Sequence, residues 1–112
     1  MTSLPRLKRS TAPPAAGMVH LGPGAFFRAF IAPYTDEAMR AGSANGEDWG
    51  IIAVSLKSPN AREALVPQGC LYTALERGPD GDTLRQVEAI TDVLVAPEDP
   101  LAVVDTLSLI HI

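Results

Sequence analysis

A chain of 112 residues, 46% hydrophobic and 20% charged, holds enough material for one modest globular domain. Its net charge of −4 is uneven: Arg6, Lys8 and Arg9 stand near the start, and from residue 10 onward six basic residues face 13 acidic ones, a balance of −7 that argues against a nucleic-acid surface. No run approaches the roughly 20 apolar residues of a membrane span, no secretory apolar segment is present, and the single Cys70 cannot form an internal disulfide, so a cytoplasmic protein is expected.

Residues 1–17 combine Pro, Ala, Ser, Thr and basic residues, a mixture that builds no core and predicts a disordered leader. A transit peptide would share its lack of acids, but Pro5, Pro13 and Pro14 and the absent helical periodicity favour a plain leader. Met18 to Leu21 is apolar apart from His20 and predicts a short strand covered on both faces, with His20 structural. Gly22-Pro23-Gly24 then cuts the strand off. Ala25 to Ala41 predicts a helix in which Phe27, Phe30 or Ile31, Tyr34, Ala38 and Ala41 recur at helical spacing and Gly42 ends the run. Arg40 lies four residues after Asp36 and should pair with it. Pro33 removes an amide donor inside this pattern, which predicts a kink or break near residues 29–33.

Strand, two-glycine turn and helix in that order form the layout of a dinucleotide-binding first turn. Gly22 permits the sharp turn, Gly24 leaves no side chain between a diphosphate and the backbone amides, and the helix that follows points its positive end at the phosphates. The third glycine of the general fingerprint would fall at position 27, where Phe27 stands; a ring there forces helix and strand apart unless the local geometry differs. Arg28, a cation in the first helical turn, opposes the helix dipole. Two readings of it stand: an anionic ligand, or an ion pair with Asp36 or Glu37.

Gly42 to Asp48 reads as a polar loop, and Trp49 to Leu56 as a second, central strand. No acid stands at the end of that strand to hold a ribose 2′-hydroxyl; Lys57 stands there instead, which leaves NADP open. Ser58-Pro59 predicts a helix start and Pro67 its stop. Leu71 to Arg77 and Leu84 to Ile90 flank Gly78-Pro79-Asp80-Gly81-Asp82, a hairpin loop whose aspartates are turn residues rather than half a calcium loop. In a chain otherwise built of strand and helix in alternation, this hairpin implies an antiparallel extension of a parallel sheet. Val93 to Ala96 predicts a further extended piece and Pro97 to Thr106 a helix. Cys70 in its apolar setting is expected in the core. Phosphate loops ending in G-K-[ST], C-x-x-C pairs, H-E-x-x-H and G-x-S-x-G are absent from the sequence, so metal and nucleophile chemistry have no support in it.

The passage Val19 to Asp36, VHLGPGAFFRAFIAPYTD, resembles the opening of the mannitol dehydrogenase and fructuronate reductase family, long-chain polyol and hexuronate oxidoreductases. That family carries a G-x-G-x-F-x-R turn, which Gly22, Gly24, Phe26 and Arg28 match. The likeness continues through WGIIAVSL (Trp49 to Leu56), PQGCLYT (Pro67 to Thr73) and DVLVAPEDP (Asp92 to Pro100). Many relatives carry histidine where this chain has Phe27 and Phe30. The resemblance implies a Rossmann-like α/β fold, a mostly parallel sheet with an antiparallel hairpin extension, incomplete at its C-terminal end. It implies a dinucleotide-binding domain over residues 18–106, with Phe26 bordering the cofactor, and a catalytic second domain that these residues do not include. Residues 107–112 fit the pattern poorly and read as a truncated end, so His111 is assigned no role.

The function this implies is that of an NAD-dependent oxidoreductase moving hydride between the nicotinamide and a polyol or keto-uronate. The expected cofactor-binding residues are Gly22, Gly24, Ala25, Phe26 and Arg28, with no catalytic or metal-binding residue among the 112 and weak binding without catalysis expected of the chain alone. Two rivals share the pattern: a nucleotide-binding module without chemistry, and a structural module in which the glycine turn merely joins strand to helix.

Overall fold

The computed structural model describes residues 7–10, 13–41 and 49–110. In chain order the elements are β1 (Ala16–Leu21), a π-helical turn (Phe27–Ile31) running directly into α1 (Ala32–Ala41), β2 (Gly50–Ser55) and α2 (Asn60–Leu65). A 3₁₀ turn (Val66–Gln68), the strands β3 (Tyr72–Gly78), β4 (Gly81–Val87) and β5 (Ile90–Val95), and α3 (Pro100–Ile110) complete it.

Three parallel strands in the order β1-β2-β5 make the main sheet. β2 lies in the middle, and Ile51, Ala53 and Val54 are fully buried, as a strand sandwiched between two layers requires. Ile90, Val93 and Val95 extend the core along β5, and Phe27, Leu65 and Val87 close it from the helices and the hairpin. The Rossmann-like α/β class is therefore observed. At the start of β2 the backbone of the leader crosses so closely that a Cβ on Gly50 would lie 2.8 Å from the carbonyl oxygens of Pro14 and Ala15.

Within residues 1–17 the described portion is engaged with the sheet. β1 begins at Ala16, and the Arg9 guanidinium donates to the carbonyls of Gly69 (2.8 Å), Glu88 (3.1 Å) and Ile90 (2.7 Å). One arginine fork satisfies three carbonyls that no apolar leader residue could reach.

The helix expected over Ala25 to Ala41 is continuous, and Pro33 does not break it. Instead, the turn before the proline widens, with the Ala32 N–H donating to the Phe27 carbonyl five residues back. The Thr35 hydroxyl donates to the Ile31 carbonyl at 2.9 Å. One extra residue in that turn rotates everything downstream: the buried residues are Phe27, Ala32, Pro33 and Asp36, while Phe30 and Tyr34, expected inside, are 47% and 64% exposed. The predicted Gly42 cap and the loop through Asp48 lie outside the described residues.

The hairpin pairs Tyr72 with Val87 through Gly78 with Gly81 as a two-stranded sheet of its own, not hydrogen-bonded to the edge of the parallel sheet. The turn is shorter than expected, Pro79-Asp80 alone; Asp82, expected in the loop, lies in β4 opposite Arg77, and the described residues contain no cluster of three potential metal ligands. Before β3, Gly69 and Cys70 both adopt positive φ, and Cys70 is buried, with burial pushing its thiol up to about 11. α3 starts later than expected because Asp99, not Pro97, caps it: its Oδ1 accepts the Ala102 N–H at 3.1 Å, with Pro100 at the first helical position. The helix continues to Ile110, so most of the unusual end is helical; His111 and Ile112 lie outside the described residues.

Candidate functional site

The carboxyl ends of β1 and β2 open into a cleft of about 450 Å³. Pro23, Gly24 and Arg28 line it from the first turn, and Ser55, Ser58 and Asn60 from the connection after β2. Its place follows from topology, since the first strand-to-helix turn of a parallel sheet must emerge at this end, beside the turn of the neighbouring strand.

Gly22 has φ +97°, a conformation open to glycine, and its N–H donates to the Val54 carbonyl at 2.8 Å. Its amide thus extends the ladder between β1 and β2 and is not free for a ligand. Gly24 has the other function. Its carbonyl accepts the first helical bond from the Arg28 N–H at 3.0 Å, so the amides of Ala25, Phe26 and Phe27 precede any intrahelical partner. A glycine in that place supplies no capping side chain, and among the described residues the amides of Gly24, Ala25 and Phe26 meet no protein acceptor. A Cβ on Gly24 would meet nothing within 4 Å, so the space over these amides is open.

Arg28 stands between this cleft and a smaller one of about 240 Å³ that it shares with Ala25, Tyr72 and Thr73. Its Nε is buried without a hydrogen-bond partner, and neither Asp36 nor Glu37 pairs with it: Asp36 pairs with Arg40 at 3.1 Å and Glu37 with Arg85 at 3.3 Å. Leaving a buried donor of a charged group unpaired costs free energy, and Arg28 as a residue lines the cleft, where an anion would meet its charge. The Arg28 carbonyl accepts the Tyr72 hydroxyl at 2.6 Å, which ties the first helical turn to the hairpin. Burial holds the Tyr72 phenol above its ordinary value and thus neutral.

Phe26 is 69% exposed, directed outward, and leans on Phe30 with ring centroids 5.0 Å apart. It does not fill the core, so it is available at the rim. Phe27, at the third-glycine position, is buried and lies against the His20 ring. His20 is therefore a packing residue here. Of the five expected residues, the turn brings Gly24, Ala25, Phe26 and Arg28 to open amides or cleft walls, whereas the Gly22 amide is internally bonded. Ser55, Ser58 and Asn60 were not foreseen as site residues; the signal was the missing acid after β2, which marked that connection as different without naming what replaces it.

A family model described as the mannitol dehydrogenase Rossmann domain matches residues 16–109. The mannitol 2-dehydrogenase of Pyrenophora tritici-repentis is 43% identical over 90 residues, which cover 79% of this chain and 16% of that protein. The polyol:NADP oxidoreductase of Gluconobacter oxydans is 39% identical over 92 residues, covering 78% of this chain and 18% of that one. Among solved structures, the Pseudomonas fluorescens mannitol 2-dehydrogenase ternary complex with NAD and D-mannitol superposes with a TM-score of 0.79 at 37% identity, over 92% of this chain and 21% of that chain. The chain thus spans about a fifth or less of the length of these relatives.

Proposed function

The chain belongs to the mannitol dehydrogenase family, and from that premise we propose that it forms the dinucleotide-holding front of an oxidoreductase that interconverts a polyol and its ketose. The observation that carries this reading is the row of uncapped amides at Gly24, Ala25 and Phe26 beside the unpartnered Nε of Arg28. A cradle of donors beside a half-buried positive charge fits a diphosphate in a way that a purely structural turn does not require. The similar proteins named above are polyol enzymes, which favours a sugar alcohol over a keto-uronate as the substrate class. A bound nicotinamide dinucleotide, NAD as the general case, supplies the hydride acceptor or donor.

The chain's own residues hold and orient. Gly24 keeps the approach to the amides clear, Arg28 sets positive charge at the diphosphate, and Phe26 borders the cofactor at the rim. Gly22 contributes by shaping the turn, its amide being committed to Val54. The proton-transfer group belongs to the remainder of a full-length enzyme. We place the protein in the cytoplasm, in keeping with its single, buried, unpaired cysteine; no described helix is long and apolar enough to cross a membrane.

Titrating NADH fluorescence with this chain tests the reading. We expect saturable binding on the order of 1 mM and its loss in Gly24→Val. Equal silence of both proteins at several times that concentration would favour the structural alternative. A longer product of the same reading frame that oxidises mannitol would separate the enzyme from a non-catalytic nucleotide module.

A further inference from the structure

The connection after β2 carries a chemical bias. Residues 55–62 read Ser-Leu-Lys-Ser-Pro-Asn-Ala-Arg, with no acid, and in dinucleotide folds the group at this strand end meets the 2′ position of the adenosine ribose. An acid there accepts the hydrogen of a 2′-hydroxyl and repels a 2′-phosphate; a set of donors and cations does the reverse.

The nearby groups form such a set. The Ser55 hydroxyl donates to the Ser58 carbonyl and is spent. The Ser58 hydroxyl accepts the Asn60 N–H at 3.1 Å, which leaves its own hydrogen to donate into the cleft it lines. Lys57 is exposed beside it, and no carboxylate pairs with Lys57 among the described residues. Of the nearest charged residues along the chain, Arg62 is held by Glu98 through its two terminal nitrogens at 2.8 and 3.1 Å, and the exposed Glu63 is not among the residues that line the cleft.

We propose that Lys57 and Ser58 face the 2′ position of the bound dinucleotide and let this chain take the 2′-phosphorylated nicotinamide cofactor at least as readily as the unphosphorylated one. This rests on the reading of the cleft as a dinucleotide site. Lys57 supplies charge to the phosphate and Ser58 a directed hydrogen bond, so the preference weakens as salt rises.

Parallel fluorescence titrations of this chain with NADH and NADPH at low ionic strength test it. The expected ratio of dissociation constants, NADPH over NADH, is about one or below. Lys57→Glu should raise it about tenfold, and so should Ser58→Asp, which keeps a competent cap for the Asn60 amide while placing a carboxylate in the cleft wall. NADH binding with NADPH more than about threefold weaker, or a ratio unmoved by both substitutions, overturns the proposal and leaves the dinucleotide site standing. Binding of neither cofactor overturns both.

Discussion

The ring of Phe27 lies flat on the imidazole of His20, with centroids 4.1 Å apart and planes within 8° of parallel. In dinucleotide folds a third glycine at this position lets helix and strand approach closely; here a pair of stacked rings stands in its place, at the residue where the π-turn begins. Phe27 is 3% exposed, so Phe27→Ala removes a core ring and should cost about 3–5 kcal/mol. Phe27→Gly, which restores the general fingerprint, should be at least as destabilising. Urea unfolding followed by circular dichroism checks both; wild-type stability in the glycine variant would mean that the stacking holds nothing together.

The two glycines of the turn should respond differently to substitution. Gly22 sits at φ +97°, so Gly22→Ala forces a side chain into a disfavoured backbone and should lower stability by about 1–2 kcal/mol. At Gly24 a Cβ meets open space, so Gly24→Ala should change stability by less than about 1 kcal/mol. Thermal melts of the two variants distinguish the fold-shaping glycine from the ligand-facing one.

Arg9 fastens the leader to the sheet through three carbonyls. Arg9→Ala should cost about 2 kcal/mol, the scale of hydrogen bonds from a charged donor, and Arg9→Lys should recover only part of it because an ammonium lacks the planar fork. Urea midpoints of the two variants measure this.

Much of this was legible in residue order. The apolar run Ile51 to Val54 announces a strand buried on both faces, the pair Gly22 and Gly24 announces the turn, and Ser58 before Pro59 announces the next helix, whose first amide that serine does cap. What escaped depends on geometry over distance. Pro33 signals trouble in the helix, but residue order does not say whether the chain breaks there or, as here, takes one extra residue into the preceding turn. That choice rotated the buried face from Phe30 and Tyr34 onto Ala32 and Asp36. Arg9 reads as part of a basic tail because the carbonyls it binds come from residues about 60 to 80 positions away.

Asp36 is the buried carboxylate the rotation created. Arg40 Nη2 stands 3.1 Å from its Oδ2, yet that oxygen makes no hydrogen bond, and burial raises the Asp36 pKa despite the attraction of Arg40 and Arg85 and a backbone N–H of Glu88, with the Glu88 carboxylate adding repulsion. A carboxyl whose folded pKa exceeds its unfolded value of 3.8 favours folding most when protonated, so this contribution is full below pH 3.8 and is lost as pH rises through the folded pKa. Arg40 is half exposed and is not stranded when the charge goes. Asp36→Asn should therefore raise the urea midpoint at pH 7 and give a smaller gain near pH 3.5. A loss of stability at pH 7 that vanishes in acid would show the ion pair outweighing the burial.

The diphosphate cradle is most directly tested by amide chemical shifts of the ¹⁵N-labelled chain during titration with NADH. Gly24, Ala25 and Phe26 should move together and saturably, with Gly22, already bonded to Val54, moving least among the turn residues. Stationary Gly24, Ala25 and Phe26 resonances while NADH binds, or saturating shifts confined to the hairpin, would contradict the account.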